Sequence, residues 1–311
     1  MSELDLQCLM TIDCKQGAVR AVRFNVDGSY CLTCGSDRKL KLWNPYRSLL
    51  LKTYGGHGDE VLDACGSCDS SHILSCSSDK SVIVWDVSTG QPLRRFRGHA
   101  SSVTCVKFNE ESSVAISGSL DNCIMCWDMK SRSNDPIQVM KDAKDCITSL
   151  KVSDYEIVAG SVDCTFRRYD LRNGSCHMDF MGAPVVSVDF SHDGQCVLAG
   201  SADNTVRLID KNTGEMLGEY LGHRTDDMNI ESGIITSDDH VISGSISGQL
   251  FIWDLINAVI VKKLTHTPGK VLNSISIHPR KNVVLTSSVN TIKVWGPGDL
   301  TIENPVESEA T

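Results

Sequence analysis

The chain has 311 residues, 41% of them hydrophobic and 22% charged, so it can bury a core and is too apolar to stay unfolded. Its 39 acidic side chains outnumber 30 basic ones, a net charge of −9 that argues against broad contact with nucleic acid or an anionic membrane surface. No apolar run approaches the roughly 18 residues that a spanning helix needs, so no membrane insertion is expected.

The start, Met1-Ser2-Glu3-Leu4-Asp5, is acidic and lacks the apolar centre of a secretory leader. The 14 cysteines are scattered without an export signal, so a reduced, intracellular protein is expected. On that reading the sequon Asn173-Gly174-Ser175 carries no glycan. Residues 6–12 read as a strand that belongs to no neighbouring hairpin. Then a repeat begins. Apolar triplets ending in an aromatic and a polar residue recur as Leu40-Lys41-Leu42-Trp43-Asn44, Val82-Ile83-Val84-Trp85-Asp86 and Ile124-Met125-Cys126-Trp127-Asp128. They continue around Tyr169, Ile209, Trp253 and Trp295, in steps of 42, 42, 42, 40, 44 and 42 residues, and all five tryptophans fall at this one position. Each unit reads as four short antiparallel strands; in the third these are Val103–Phe108, 114–117, 124–128 and 137–140. After Trp295 come Pro297, Gly298 and an acidic tail. The seventh unit therefore lacks a fourth strand, and residues 6–12 are expected to supply it.

Gly56-His57 and Gly98-His99 ahead of a strand, with Trp85-Asp86 and Trp127-Asp128 ending another, resemble the WD-repeat family. The resemblance covers nearly the whole chain. It implies an all-β fold: a seven-bladed WD-repeat β-propeller over residues 6–297, its ring closed by the N-terminal strand. Residues 1–5 form a short tail before it and 298–311 an acidic tail after it. It also implies a hydrogen-bonded tetrad, Trp to Ser to His to Asp, of His57, Ser75, Asp79 and Trp85 in blade two and of His99, Ser117, Asp121 and Trp127 in blade three. A hydrolase triad is the competing reading of His, Ser and Asp. It is disfavoured because a catalytic site occurs once, whereas this set recurs in register.

The other blades depart from the pattern. Blade one has Thr33, Asp37 and Trp43 but Lys15 where His is expected. Blades four and five keep Asp163 and Asp203 but have Ala159, Ala199, Tyr169 and Ile209, so apolar packing is expected to hold them. Blade six has His223, Ser243 and Trp253 with Ser247 in place of Asp; blade seven has His266, Thr286 and Trp295 with one residue missing near Val289 and Asn290.

Three C-x-x-C pairs, Cys31/Cys34, Cys65/Cys68 and Cys123/Cys126, raise zinc binding or thiol exchange. In an extended strand, residues three apart face opposite ways, which excludes the first and last pairs. Cys65/Cys68 has no companion pair. Cys34 and Cys76 align with Gly118, Gly160 and Gly200 and read as small fillers. No phosphate-binding loop, nucleophile elbow, dinucleotide fingerprint or H-E-x-x-H motif occurs, so no enzyme activity, metal or cofactor is expected.

Several runs resemble one branch of the WD-repeat family, the scaffolds that organise mitogen-activated protein kinase modules. They are Gly17-Ala18-Val19-Arg20-Ala21-Val22-Arg23-Phe24, Phe96-Arg97-Gly98-His99, Arg167-Arg168-Tyr169-Asp170-Leu171-Arg172 and Leu217-Gly218-Glu219-Tyr220. That resemblance implies protein partners from a MAP-kinase module, spliceosomal proteins of pre-mRNA splicing complexes, and a place in cytoplasm and nucleus. Direct nucleic-acid contact is not expected, and a monomer is. Partners are expected on the face carrying the Asp turns, at Arg38, Lys80, Asn122, Cys164 and Asn204, read as a ring around the channel mouth. The irregular loop with Asp226, Asp227, Met228 and Ile230 belongs to the same face. The alternative reading is a substrate receptor of a cullin-based ubiquitin ligase, with Arg172 and Lys130 contacting the ligase adaptor.

Overall fold

A computed structural model describes residues 5–226 and 228–298; the N-terminal residues 1–4, Asp227 and the tail beyond 298 lie outside the described residues. Seven four-stranded antiparallel sheets follow one another, each hydrogen-bonded in sequence order from the innermost strand, a, to the outermost, d. This is a seven-bladed β-propeller. Blade seven is the exception in connectivity. Its first three strands are Leu272–Ile277, Val284–Ser288 and Thr291–Gly296, and its outer strand is Gln7–Asp13 from the other end of the chain, pairing Ile12 with Ile292.

The core lies between blades and not within them. One cluster joins Leu74, Val82, Val84 and Phe96 of blade two to Val103, Val106, Met125 and Trp127 of blade three. Six more clusters fill the other interfaces, and the one at the seam sets Ile12, Ile292 and Val294 against Val19, Val22 and Trp43. Because both faces of a blade are covered, its middle strands read as continuous apolar runs, such as Ser81–Asp86, where only the last residue is not buried. Close approach explains the small residues. A Cβ on Gly118 would come within 2.6 Å of Ile147, and Cys34 and Cys76 at the same position are fully buried free thiols.

Neighbouring inner strands share no continuous backbone ladder; beside single bonds between blades such as Glu231 N–H to Asn273 O at 3.0 Å and Val19 N–H to Val289 O at 2.6 Å, side chains join them. In six blades a register shift falls at the start of strand a, at Val19/Ala21, Val61/Asp63, Val103/Cys105, Ile147/Ser149, Val185/Ser187 and Leu272/Ser274. The bulge aims the second residue at the next blade: Thr104 donates to the Ile147 carbonyl at 2.7 Å, Thr148 to Val185 at 2.6 Å, and Asn273 to Val19 at 3.1 Å across the seam. The third residue accepts from the fourth backbone N–H of the following blade. Asp63 receives Val106, Ser149 receives Val188, Ser187 receives Ser232, Glu231 receives Ile275, and Ser274 receives Val22, at 2.8–3.3 Å.

Deleting residues 1–12 exposes the edge of Thr291–Gly296 and uncovers the partners of Leu6 and Ile12. Loss of that burial alone costs about 3–6 kcal/mol. A thermal melt with light scattering should show a lowered midpoint and aggregation; an unchanged midpoint would refute closure by this strand.

Candidate interaction site

Two blades carry the complete tetrad. In blade two Trp85 Nε1 donates to Ser75 Oγ at 2.8 Å, Ser75 Oγ lies 2.8 Å from His57 Nε2, and His57 Nδ1 lies 3.2 Å from Asp79. Blade three repeats this with Trp127 to Ser117 at 2.9 Å, Ser117 to His99 at 2.8 Å and His99 to Asp121 at 3.0 Å. With the imidazole proton on Nδ1, facing the carboxylate, each serine donates to Nε2. The order matches a Ser-His-Asp triad, but Ser75 and Ser117 are fully buried and their oxygens already accept from Trp. No substrate can reach them. The carboxylates also fix the loop into strand a, accepting from the Gly58 and Ala100 N–H groups at 2.7 Å each. Burial works against the charge of Asp79, but bonds from His57, Ser81 and Gly58 hold its carboxyl well below the usual range. His99 titrates below the ordinary imidazole value because burial outweighs the pull of Asp121.

The remaining blades solve the same problem differently. Blade one completes its tetrad with Gln16 and not with Lys15: Trp43 donates to Thr33 at 2.9 Å, Thr33 donates to Gln16 Oε1, and Gln16 Nε2 reaches Asp37 at 3.3 Å. In blades four and five apolar packing is supplemented by ion pairs, Arg167 with Asp163 at 2.8 Å and Arg207 with Asp203 at 2.7 Å. Blade six forms no tetrad. Trp253 donates to the Leu221 carbonyl at 2.9 Å, and the buried His223 Nδ1 has no partner among the described residues. Blade seven keeps only Trp295 to Thr286, at 2.8 Å, while His266 turns Nδ1 to Thr267 at 3.0 Å and leaves Nε2 without a partner among the described residues. Burial pushes His223 and His266 down to about 4 each, helped at His266 by Lys293.

The inner strands surround a channel of about 1460 Å³. Its wall holds a charge network that sequence reasoning missed. Arg23 of blade one reaches Asp63 of blade two at 2.8 Å and Glu231 of blade six, and Lys107 of blade three adds a second cation to Asp63 at 3.2 Å. Burial opposes the Arg23 charge, yet the two carboxylates raise its pKa further. The available signal was positional: Asp63 stands third, and Arg23 and Lys107 fifth, in inner strands rich in apolar and small residues, while Glu231 directly precedes the strand Ser232–Ile234.

Arg38, Lys80, Asn122, Cys164 and Asn204 follow the Asp of each strand b–c turn, and all five take φ of 65–66°. That left-handed position closes the turn and orients every side chain alike. None of the five is among the residues that line the channel wall. Among the described residues the Arg38 and Lys80 side chains are exposed and unpaired. Asn122 donates to the Lys144 carbonyl at 3.2 Å, and Asn204 accepts from the Thr225 N–H at 2.6 Å. Asp226 pairs with Arg224 at 3.0 Å, and Asp227 lies outside the described residues. Ile230 is buried, so only Met228 of the expected apolar pair is accessible. On the other face, Arg172 is held by Asp170 at 2.8 Å and stacks over Tyr155 at 3.8 Å, whereas Lys130 is exposed without an ionic partner among the described residues.

The family described as WD domain, G-beta repeat matches residues 6–44, 48–86, 90–128 and 174–210. WD repeat domain-containing protein 83 of Rattus norvegicus is 59% identical over 94% of this chain and 93% of its own length. The Homo sapiens protein of that name is 56% identical over the same shares, and the Dictyostelium discoideum homolog is 31% identical over 93% of this chain and 98% of its own.

Replacing His99 by Ala orphans Ser117 and Asp121 and should cost about 1–3 kcal/mol in denaturant unfolding. Arg23→Ala leaves the half-buried Glu231 without its cation and the buried Asp63 with Lys107 alone, and should cost about 3 kcal/mol in the same measurement. A depressed imidazole pKa means that the unfolded chain binds more protons, so His223 and His266 contribute stability that is full above 6.5 and lost as pH falls toward about 4. Melting midpoints across that window should drop, and the drop should shrink in His223→Leu; an equally steep fall in the variant would contradict the assignment.

Proposed function

Because the chain belongs to the family of WD repeat domain-containing protein 83, and WD-repeat propellers serve in general as non-enzymatic protein-interaction scaffolds, we propose that it assembles components of a MAP-kinase module. Association with pre-mRNA splicing complexes, in cytoplasm and nucleus, belongs to the same reading. The runs in its N-terminal third and blades three to five that resemble the MAP-kinase organisers support it.

One observation carries the placement of the docking surface. Arg38 and Lys80 sit on adjacent blades in the same left-handed turn position, exposed and unpaired among the described residues, while Asp37 and Asp79 beside them are used by the fold. The turn fixes their backbone, so an acidic partner has only the side chains and no flexible loop to order. Loops held on a rigid scaffold are where such recognition concentrates. Asp226 of blade six supplies a separate acidic contact. In the ligase-receptor alternative Arg172 contacts the adaptor, but its guanidinium is already engaged by Asp170 and Tyr155.

The paired charge reversal Arg38→Glu/Lys80→Glu should lower capture of purified MAP-kinase module proteins roughly tenfold with an unchanged melt. Asp226→Lys is the parallel variant for the acidic contact. If the paired variant retains every partner while Arg172→Ala abolishes capture of the ligase adaptor, the scaffold reading gives way to the alternative.

A further inference from the structure

Each blade ends in an outer strand with one unpaired edge, and most of these edges are blunted. Register shifts interrupt the outer pair at Cys8/Met10, Leu42/Trp43, Val84/Trp85, Leu208/Ile209 and Ile252/Trp253. Pro92, Arg94 and Arg95 guard blade two, Lys262 and Lys263 guard blade six, and the outer strand of blade three has only three residues. Such bulges, basic side chains, prolines and short strands are the usual means of preventing edge pairing. Blade four has none of them. Its outer strand, Cys176–Phe180, pairs with Thr165–Asp170 without a shift and contains no Pro, Lys or Arg. Met178 and Phe180 on it are 57% and 71% exposed.

The hydrogen-bond parity of this edge is fixed from both ends. Asp170 N–H donates to Ser175 O at 2.9 Å, and Met181 N–H donates to Cys164 O at 2.8 Å. Inward bonding therefore falls on odd-numbered residues, and Cys176, Met178 and Phe180 turn their N–H and C=O groups outward. The side chains are arranged symmetrically about Met178, with His177 on one side and Asp179 on the other. Among the described residues Asp179 makes no ion pair, and the only hydrogen-bond partner of the His177 ring is Ser175 Oγ, at 3.4 Å.

We propose that this edge is a self-association surface, on which two copies of the chain pair their Cys176–Phe180 strands antiparallel about a two-fold axis at Met178. In that register Met178 opposes Met178 of the second copy, and Cys176 opposes its Phe180, each exchanging both backbone bonds. His177 falls opposite Asp179 of the second copy in the closely spaced type of pair, with Cα atoms about 4.5 Å apart. The match occurs twice by symmetry, as an isologous contact requires. A groove of about 230 Å³ between Asp179, Phe180, Gly214 and Met216 receives the flank of the incoming strand. The outcome is one sheet running through two propellers, in place of the monomer expected from the sequence. A single strand pair buries less than the roughly 1,600 Å² of a standard interface, so the association is weak and depends on concentration. This proposal stands apart from the choice of scaffold partners.

Sedimentation velocity of the full chain, from low-micromolar to several hundred micromolar, tests it. The wild type should move from one chain mass, 34.0 kDa, toward twice that value. Met178→Pro removes an outward N–H while sparing the inward ladder, and should stay at one chain mass. His177→Asp sets carboxylates against each other and should weaken association roughly tenfold. The charge swap His177→Asp/Asp179→His should restore it. Thermal melts matching the wild type confirm that each variant is folded. A wild type that remains at one chain mass throughout, a Met178→Pro variant that associates as well as wild type, or a folded charge swap that fails to restore pairing would each overturn the proposal.

Discussion

Cohesion of this ring depends on hydrogen bonds from side chains to backbone between neighbouring inner strands. Blades share no continuous ladder, and apolar packing between sheets sets neither register nor depth. Thr104, Thr148 and Asn273 donating forward, and Asp63, Ser149, Ser187, Glu231 and Ser274 accepting from the next blade, supply that register. Each such bond also satisfies an inner-strand N–H or C=O that would otherwise face the channel without a partner. The seam between the last and first blades is secured the same way by Asn273 and Ser274. Arg23 then spans it electrostatically, holding Glu231 on one side and Asp63 on the other.

The polar interior divides the ring into unequal halves. Blades one to three have saturated tetrads, whereas blades four to seven leave buried atoms such as Arg167 Nη1, His223 Nδ1 and His266 Nε2 without partners among the described residues. Unpaired buried groups are costly, so local opening is easier on that side. The top-face geometry of Arg38 and Lys80 therefore rests on the more rigid half.

How much of this was legible in the sequence follows from what repeats. The seven blades, the borrowed outer strand and the tetrads of blades two and three could be read directly, since Trp, Ser, His and Asp recur in register. Gln16 could not, because an amide replaces the imidazole next to Lys15, which itself takes a left-handed φ of 49°. Arg167 and Arg207 hid in the strand that normally carries the tetrad Trp, two places before Tyr169 and Ile209. The charge network was invisible for another reason. Arg23, Asp63, Lys107 and Glu231 lie far apart in sequence and meet only because the ring closes. The turn position shared by Arg38, Lys80, Asn122, Cys164 and Asn204 was legible because each follows the Asp of its turn, but what each side chain bonds to was not.

The borrowed outer strand of blade seven bears on how the protein is made. Gln7–Asp13 leaves the ribosome roughly 280 residues before Thr291–Gly296, its only ladder partner. At ordinary synthesis rates that is an interval of about 15–60 s. During it the early strand has no native edge to join, while the intervening blades can stack one after another. The ring becomes a ring only when translation of blade seven is complete, so its slowest native contact is set by the ribosome and not by the chain's own search. Conditions that stall synthesis within the last blade would release an open arc with both end faces bare.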